Sequence, residues 1–181
     1  MIFTLFKRWA RKRPPEPKNE PTPQTLKIRN INKEDIPSFE DELRCNEDEW
    51  DAFIPEEGDI GFYLDEALIG YARVTPHPNS NHTHTFATLE EVNLLPAYRG
   101  HKLHWGSECA KLTGAWVSQS LSLTERSCRR FTLDMEAASR GGVHFCQVIA
   151  TTVESLCPHV TVTTRVFSTP SEATSAPAPS S

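Results

Sequence analysis

Apolar and polar positions along this chain repeat in two rhythms, and the switches between them mark out its elements. Leu26, Ile28 and Asn30 alternate with Lys27, Arg29 and Ile31, the period of two that predicts a strand. Asp35 then reads as the cap of a helix with Pro37 in its first turn and an apolar stripe of Ile36, Phe39 and Leu43, spaced at three and four. Residues 60–64 and 67–75 are β-rich runs parted only by Asp65 and Glu66, which predicts a hairpin. The stretch LEEVNLLPAYRGHKLHWGSECAKLTGAWV from Leu89 to Val117 opens as a strand around Val92, Leu94 and Leu95, breaks at Pro96 and turns through Arg99 and Gly100. It continues as a helix in which Leu103, Gly106, Cys109, Ala110, Thr113 and Val117 recur at helical spacing. Residues 121–128 are a polar loop, 130–135 a strand and 141–156 a helix carrying Val143, Cys146, Val148, Ile149, Val153 and Leu156. Residues 159–167 close the folded part as a strand of alternating β-branched residues. The order strand, helix, hairpin, strand, helix, strand, helix, strand defines an α/β (mixed α+β) fold.

The flanks follow neither rhythm. Residues 1–13 interleave Ile2, Phe3, Leu5, Phe6 and Trp9 with Lys7, Arg8, Arg11, Lys12 and Arg13, a short basic amphipathic segment suited to docking on a surface or a partner. Its charge follows the apolar residues instead of preceding them, the reverse of a secretory signal. Residues 14–24 hold five prolines and read as an extended linker. Residues 168–181 are Ser, Pro, Ala and Thr with one Glu, a composition without a core of its own. The expected organisation is a basic segment and linker over 1–24, one domain over 25–167 and a tail over 168–181.

Composition narrows the function classes. With 181 residues, 38% hydrophobic and 24% charged, the chain suits one buried core plus tails, and no apolar run is long enough to span a bilayer. A formal net charge of −5 gives no general attraction to nucleic acid, so none is expected as a partner. Five cysteines, Cys45, Cys109, Cys128, Cys146 and Cys157, lie far apart without a CxxC pair, which points to reduced thiols and a cytoplasmic protein. Cys109 and Cys157 sit on apolar stretches and are expected to pack as small core residues. His77, His82 and His84 lie in a loop without Cys, Asp or Glu at helical spacing, and His101 and His104 stand at a helix start; no metal is expected. The acidic run from Asn46 to Asp59 is either a solvated face or the lining of a groove for a cationic acceptor.

Chemistry concentrates where the central strand turns into the helix. A helix start leaves backbone N–H groups without partners and carries partial positive charge, and Arg99 and Lys102 flank Gly100 there, so the turn is suited to phosphate. The run VNLLPAYRGHKLH resembles the cofactor-binding stretch of the GNAT superfamily of acyl-CoA N-acyltransferases. That family has a core strand, often a proline, then (Gln/Arg)-x-x-Gly-x-(Gly/Ala) opening a helix. Arg99 matches the first signature position, whereas Lys102 stands where the family has Gly and His104 where it has Gly or Ala. The hairpin GFYLDEALIGYARV and the element order from Thr25 to Phe167 also resemble the GNAT arrangement. The resemblance therefore implies a twisted mixed β-sheet with helices on both faces.

What the resemblance implies about activity is an acetyl-CoA-dependent N-acyltransferase that transfers the acyl group to an amine by direct attack. The acceptor, a small molecule or a protein, has no signature, and oligomeric state has none either. Val92, Asn93 and Leu94 would lie along the pantetheine arm, where the central strand separates from its neighbour, and Arg99, Gly100, His101, Lys102, Leu103 and His104 would face the pyrophosphate. Neighbouring strand residues point to opposite faces, so one of Glu91 and Glu90 can serve as the base. Glu91 shares a side with Asn93 and is preferred. Ionic bonding of these acids to Arg73 or Lys27 is the purely structural alternative. Where family members often carry Ala-x-x-x-Tyr in the last helix, this chain has Ala150 and Glu154, and no tyrosine follows Tyr98. These departures define the other reading, a catalytically inactive GNAT-fold interaction or structural protein.

Overall fold

In the computed structural model, residues 25–46, 54–78, 80–100, 104–136 and 140–167 are described. The expected amphipathic segment, linker and tail, and the site residues His101, Lys102 and Leu103, lie outside them. The elements follow the order expected: β1 (Leu26–Asn30), α1 (Ile36–Asn46), β2 (Ile60–Leu64), β3 (Ala67–Pro76), β4 (His84–Leu94), α2 (Trp105–Ser120), β5 (Arg130–Glu136), α3 (Arg140–Leu156) and β6 (Thr161–Phe167). The strands form one mixed sheet in chain order. β1 to β4 pair antiparallel, while β4–β5 and β5–β6 pair parallel through the crossover helices α2 and α3.

The β2–β3 turn has positive φ at both Asp65 and Glu66 (48° and 71°), the backbone twist a two-residue hairpin needs, achieved here without glycine. Two β-bulges then set which side chains face which layer. In β3, Phe62 pairs with Gly70 and Tyr63 with Leu68, so Ile69 is the extra residue. In β4, Arg73 pairs with Glu91 and Val74 with Leu89, so Glu90 is the extra residue.

Helices cover both faces. On one, α1 packs Phe39 and Leu43 against Ile31, Tyr63, Leu68, Tyr71 and Leu95, with the Phe39 and Tyr71 rings edge to face at 5.8 Å. On the other, α2 and α3 bury Cys109, Ala110, Val117, Phe145, Cys146, Ile149 and Val153 over Ile60, Phe62, Ile69, Ala87, Leu89, Phe131 and Leu133. Each of the larger aliphatic and aromatic side chains withdrawn from water contributes about 1.5–3 kcal/mol. Cys109, Cys128, Cys146 and Cys157 are free and buried, as expected of Cys109 and Cys157. No described helix is long and apolar enough to cross a membrane.

Three boundaries differ from those the sequence predicts. The cap of the first helical segment is not Asp35: one 3-10 turn, Lys33–Asp35, precedes α1, with Asn32 before it. Asp35 instead accepts from the Asn32 N–H (3.2 Å), the Arg29 guanidinium (2.9 and 3.3 Å) and the Tyr63 hydroxyl (2.8 Å), tying the helix start to β1 and β2. β4 begins at His84, inside the expected loop, because Asn81 Oδ1 accepts from the N–H groups of Thr83 and His84 (both 3.0 Å) and turns the chain straight into the strand. β6 begins at Thr161 and not at His159, since the Val160 N–H closes a turn on the Cys157 carbonyl.

Candidate active site

The parallel pairing of β4 and β5 runs from His84–Arg130 to Leu89–Met135 and stops there. β4 continues through Glu90, Glu91, Val92, Asn93 and Leu94, held on its other side by β3 alone. Among the described residues, that half of β4 thus has no strand along the edge that β5 would occupy. Val92, Asn93 and Leu94 border that edge, the part of β4 where the resemblance implies a pantetheine arm.

The bulge at Glu90 decides where the acids go. Leu89 belongs to the core under α2 and α3, and strict alternation would place Glu91 on that same side. The extra residue shifts the phase, so Glu91 and Asn93 stand opposite Arg73 and Tyr71, on the α1 side of the sheet, while Val92 and Leu94 pack on the core under α2 and α3. Glu90 is exposed and Glu91 is largely buried.

Around Glu91 the structure assembles a cluster of which only the Arg73 pairing is foreseen from the sequence. Arg73 Nη1 donates to Glu91 Oε2 at 3.0 Å, so the ionic bond to Arg73 weighed above is formed; Lys27 pairs with Glu66 instead. The same guanidinium donates through Nε and Nη2 to both oxygens of Asp59 (3.1 and 2.9 Å), and Nη2 lies 3.3 Å from Glu56. Asp59 is therefore not part of a solvated acidic face: it is 8% exposed and also accepts from the Glu56 N–H at 2.8 Å. Residues 47–53 of that acidic run lie outside the described residues. The hint available in the sequence was the spacing of Tyr71 and Arg73, two apart in a strand, which puts a phenol and a cation on one face.

Tyr71 completes the cluster. It is fully buried, and its hydroxyl meets no acceptor at full hydrogen-bond geometry, yet it lies near enough to the Glu91 carboxylate for each group to shift the other. Burial first, and then the charge of Glu91, push the phenol well above its ordinary range. Glu91 in turn holds its proton more tightly than an ordinary glutamate. Burial is the main cause, reinforced by Asp59 and Glu56 and opposed by Tyr71 and Arg73. A half-desolvated carboxyl raised in this way is a better base near neutral pH than an exposed one.

At the strand end the groups expected to face phosphate are arranged differently. Pro96–Tyr98 forms a 3-10 turn, and Gly100 follows with φ of 98°. Arg99 folds back, donating through Nε to the Leu94 carbonyl (2.6 Å) and through Nη2 to Asn93 Oδ1 (2.9 Å). His104 is exposed and left-handed (φ 54°), and α2 starts at Trp105 without a side-chain cap from His104. Leu94 lies between Gly70 and Gly106, so an apolar side chain bridges β3 and the start of α2. Glu154 is exposed on α3. His84 is not a loop residue, as its Nε2 lies 2.9 Å from Thr132 Oγ1. A separate groove of about 390 Å3, lined by Lys111, His144, Gln147, Val148, Thr151 and Thr152, lies along α2 and α3, across the sheet from Glu91. No protein-family model matches the chain, and no curated protein or solved structure matches it.

Proposed function

We propose that this protein is an N-acyltransferase that moves an acetyl group from acetyl-CoA to an amine, with Glu91 as the base. The observation that carries this reading is the end of β4–β5 pairing at Leu89, which among the described residues leaves Glu90–Leu94 bordering an open edge beside a proton-avid carboxyl. Main-chain groups of Val92, Asn93 and Leu94 are the ones available to an extended pantetheine arm, and Arg99 with the N–H groups opening α2 would meet the phosphates. Three carboxylates, those of Asp59, Glu56 and Glu91, surround one guanidinium; this excess of negative charge supports a cationic amine as acceptor. In the transfer, Glu91 takes a proton from the ammonium, the free amine attacks the thioester carbonyl, the C–S bond breaks, and the proton shed by the new amide nitrogen passes to the leaving sulfur, so that coenzyme A departs as the thiol.

The second reading, a protein that has kept the architecture and lost the activity, is favoured by two contacts. Glu91 is bound by Arg73, and Arg99 is bound to Asn93 and Leu94, so both groups already serve the fold. Calorimetric titration with acetyl-CoA separates the two, since an inactive scaffold gives no heat at millimolar ligand. Given binding, Glu91→Gln should lower turnover about 100-fold or more with affinity unchanged, and the wild-type rate should rise with pH through an apparent pKa above the ordinary 4.5. Unchanged turnover in Glu91→Gln removes that residue from the chemistry.

A further inference from the structure

The sheet ends in two very different strands. At one edge, β1 is five residues long and carries Lys27 and Arg29, short and charged in the way natural edge strands resist pairing. At the other, β6 has the sequence TVTTRVF. It contains no proline and no lysine, and it pairs with β5 in unbroken register over all seven residues. Its single charge, Arg165, is neutralised within the chain by a bidentate bond to Asp134 (2.7 and 2.6 Å). Among the described residues no strand lies beyond it, so one side of β6 offers a straight row of unpaired backbone donors and acceptors.

The exposed apolar residues gather at the same place. Among the described residues, the large hydrophobic side chains left in solvent are Leu156, Val166 and Phe167, at 52%, 42% and 50% exposure. Val166 and Phe167 end β6, and Leu156 ends the helix that leads into its other end. They therefore stand at opposite ends of one strand, and a single protomer cannot bring them together.

A two-fold axis can. We propose that β6 pairs antiparallel with β6 of a second copy, centred on Thr164, joining two six-stranded sheets into one. That register is the one that matches all seven residues: Thr164 faces its counterpart, Val162 faces the partner copy's residue 166, and Thr161 faces the partner copy's residue 167. Val162 already packs on the core under α2 and α3, so the valine opposite it arrives on that same side, at the end of the strand where α3 terminates with Leu156. Phe167 shares the other side with Arg165, whose guanidinium lies 5.9 Å from its ring, and comes to rest beside the other copy's Thr161. Because Arg165 is paired with Asp134 and meets Thr163 across the axis, the joint brings no uncompensated like charges together. A single strand pairing is smaller than the about 1,200 Å2 of standard interfaces, so the association belongs with the weak, reversible ones.

The test is sedimentation of the full-length protein from micromolar to submillimolar concentration, beside Val166→Lys/Phe167→Lys and Thr164→Cys. The wild type should pass reversibly from monomer to dimer, and the double lysine variant, with unchanged circular dichroism, should associate at least about tenfold more weakly, because a lysine placed in the joint must lose its water. Thr164→Cys should form a disulfide-linked dimer under mild oxidation in clear excess over the wild type, a readout that does not depend on the lysine variant folding. A wild type that stays monomeric throughout, a dimer indifferent to the lysines, or no added cross-linking at residue 164 overturns the proposal. A dimer that emerges only after removal of residues 168–181 overturns it too, because the tail then holds the edge.

Discussion

Arg73 joins Glu91 to Asp59: one guanidinium spans two strands and the loop before β2, 3.0 Å from the first carboxylate and 2.9 Å from the second. Replacing it removes the partner of an acid that is 8% exposed. Arg73→Met is expected to cost about 3 kcal/mol, because a buried carboxylate is left uncompensated, whereas Arg73→Met combined with Asp59→Asn should recover part of that loss. Denaturant unfolding of the two variants measures both. A loss below about 1 kcal/mol, the range of exposed ion pairs, would mean that water reaches Asp59 freely.

Asp35 gives the fold a dependence on acid. Burial alone would raise its proton affinity, but hydrogen bonds from Arg29, then Tyr63 and the Asn32 N–H, outweigh it and hold the carboxyl below its ordinary 3.8. A depressed folded-state pKa contributes stability that is fully present above the unfolded value and disappears as pH falls through the folded one. The gap in unfolding free energy between wild type and Asp35→Asn should therefore be larger at pH 7 than at pH 2.5. A gap that stays constant across that range excludes the ionised form as its source.

Gly70 lies where β3 passes the end of β4, and a Cβ there would meet the Asn93 carbonyl oxygen at 2.5 Å as well as the Leu94 side chain. Backbone cannot rotate aside as a side chain can. Gly70→Ala is expected to destabilise by about 2 kcal/mol and to change the amide shifts of Asn93 and Leu94 in an NMR spectrum. If acetyl-CoA binds along that strand, the same variant should bind it more weakly. Gly114, whose Cβ would come within 2.7 Å of Thr152 Cβ, should show a similar loss of stability on substitution by alanine, with no change at Asn93.

Thiol reactivity offers an independent check on the core. Burial raises the Cys109 thiol to about 12 and Cys146 to about 11, so neither supplies thiolate at neutral pH. Cys109, Cys128, Cys146 and Cys157 should react with an aromatic disulfide reagent only as fast as the protein unfolds. Rapid modification of any of these four would place that helix or loop in solvent.

Most of the architecture could be read from the chain, because the period of two and the period of 3.6 are each carried by large side chains such as Phe39, Leu43, Val117 and Ile149 that have one place to go. What could not be read depends on departures from periodicity. His84, Phe86 and Thr88 head β4, yet the run before them resembles a turn. Their side chains lie on the sheet face opposite α2 and α3, where His84 stacks on Phe86 and bonds Thr132, so the alternation there is not one of apolar with polar residues. The side occupied by Glu91 agreed with its kinship to Asn93, while the bulge that puts both residues there left no mark in the sequence. Asp59 was read among its acidic neighbours; its partner, Arg73, is fourteen residues away and meets it only once β2 and β3 have paired.

The unpaired residue in the middle of β4 has one more consequence. Before it, odd-numbered positions such as 87 and 89 serve the layer beneath α2 and α3; after it, even-numbered positions 92 and 94 do. Position 90 is therefore a seam where the chain could lose a residue and keep every neighbouring pairing. An insertion or deletion elsewhere in the strand would send the acids into oil and the aliphatic side chains into water.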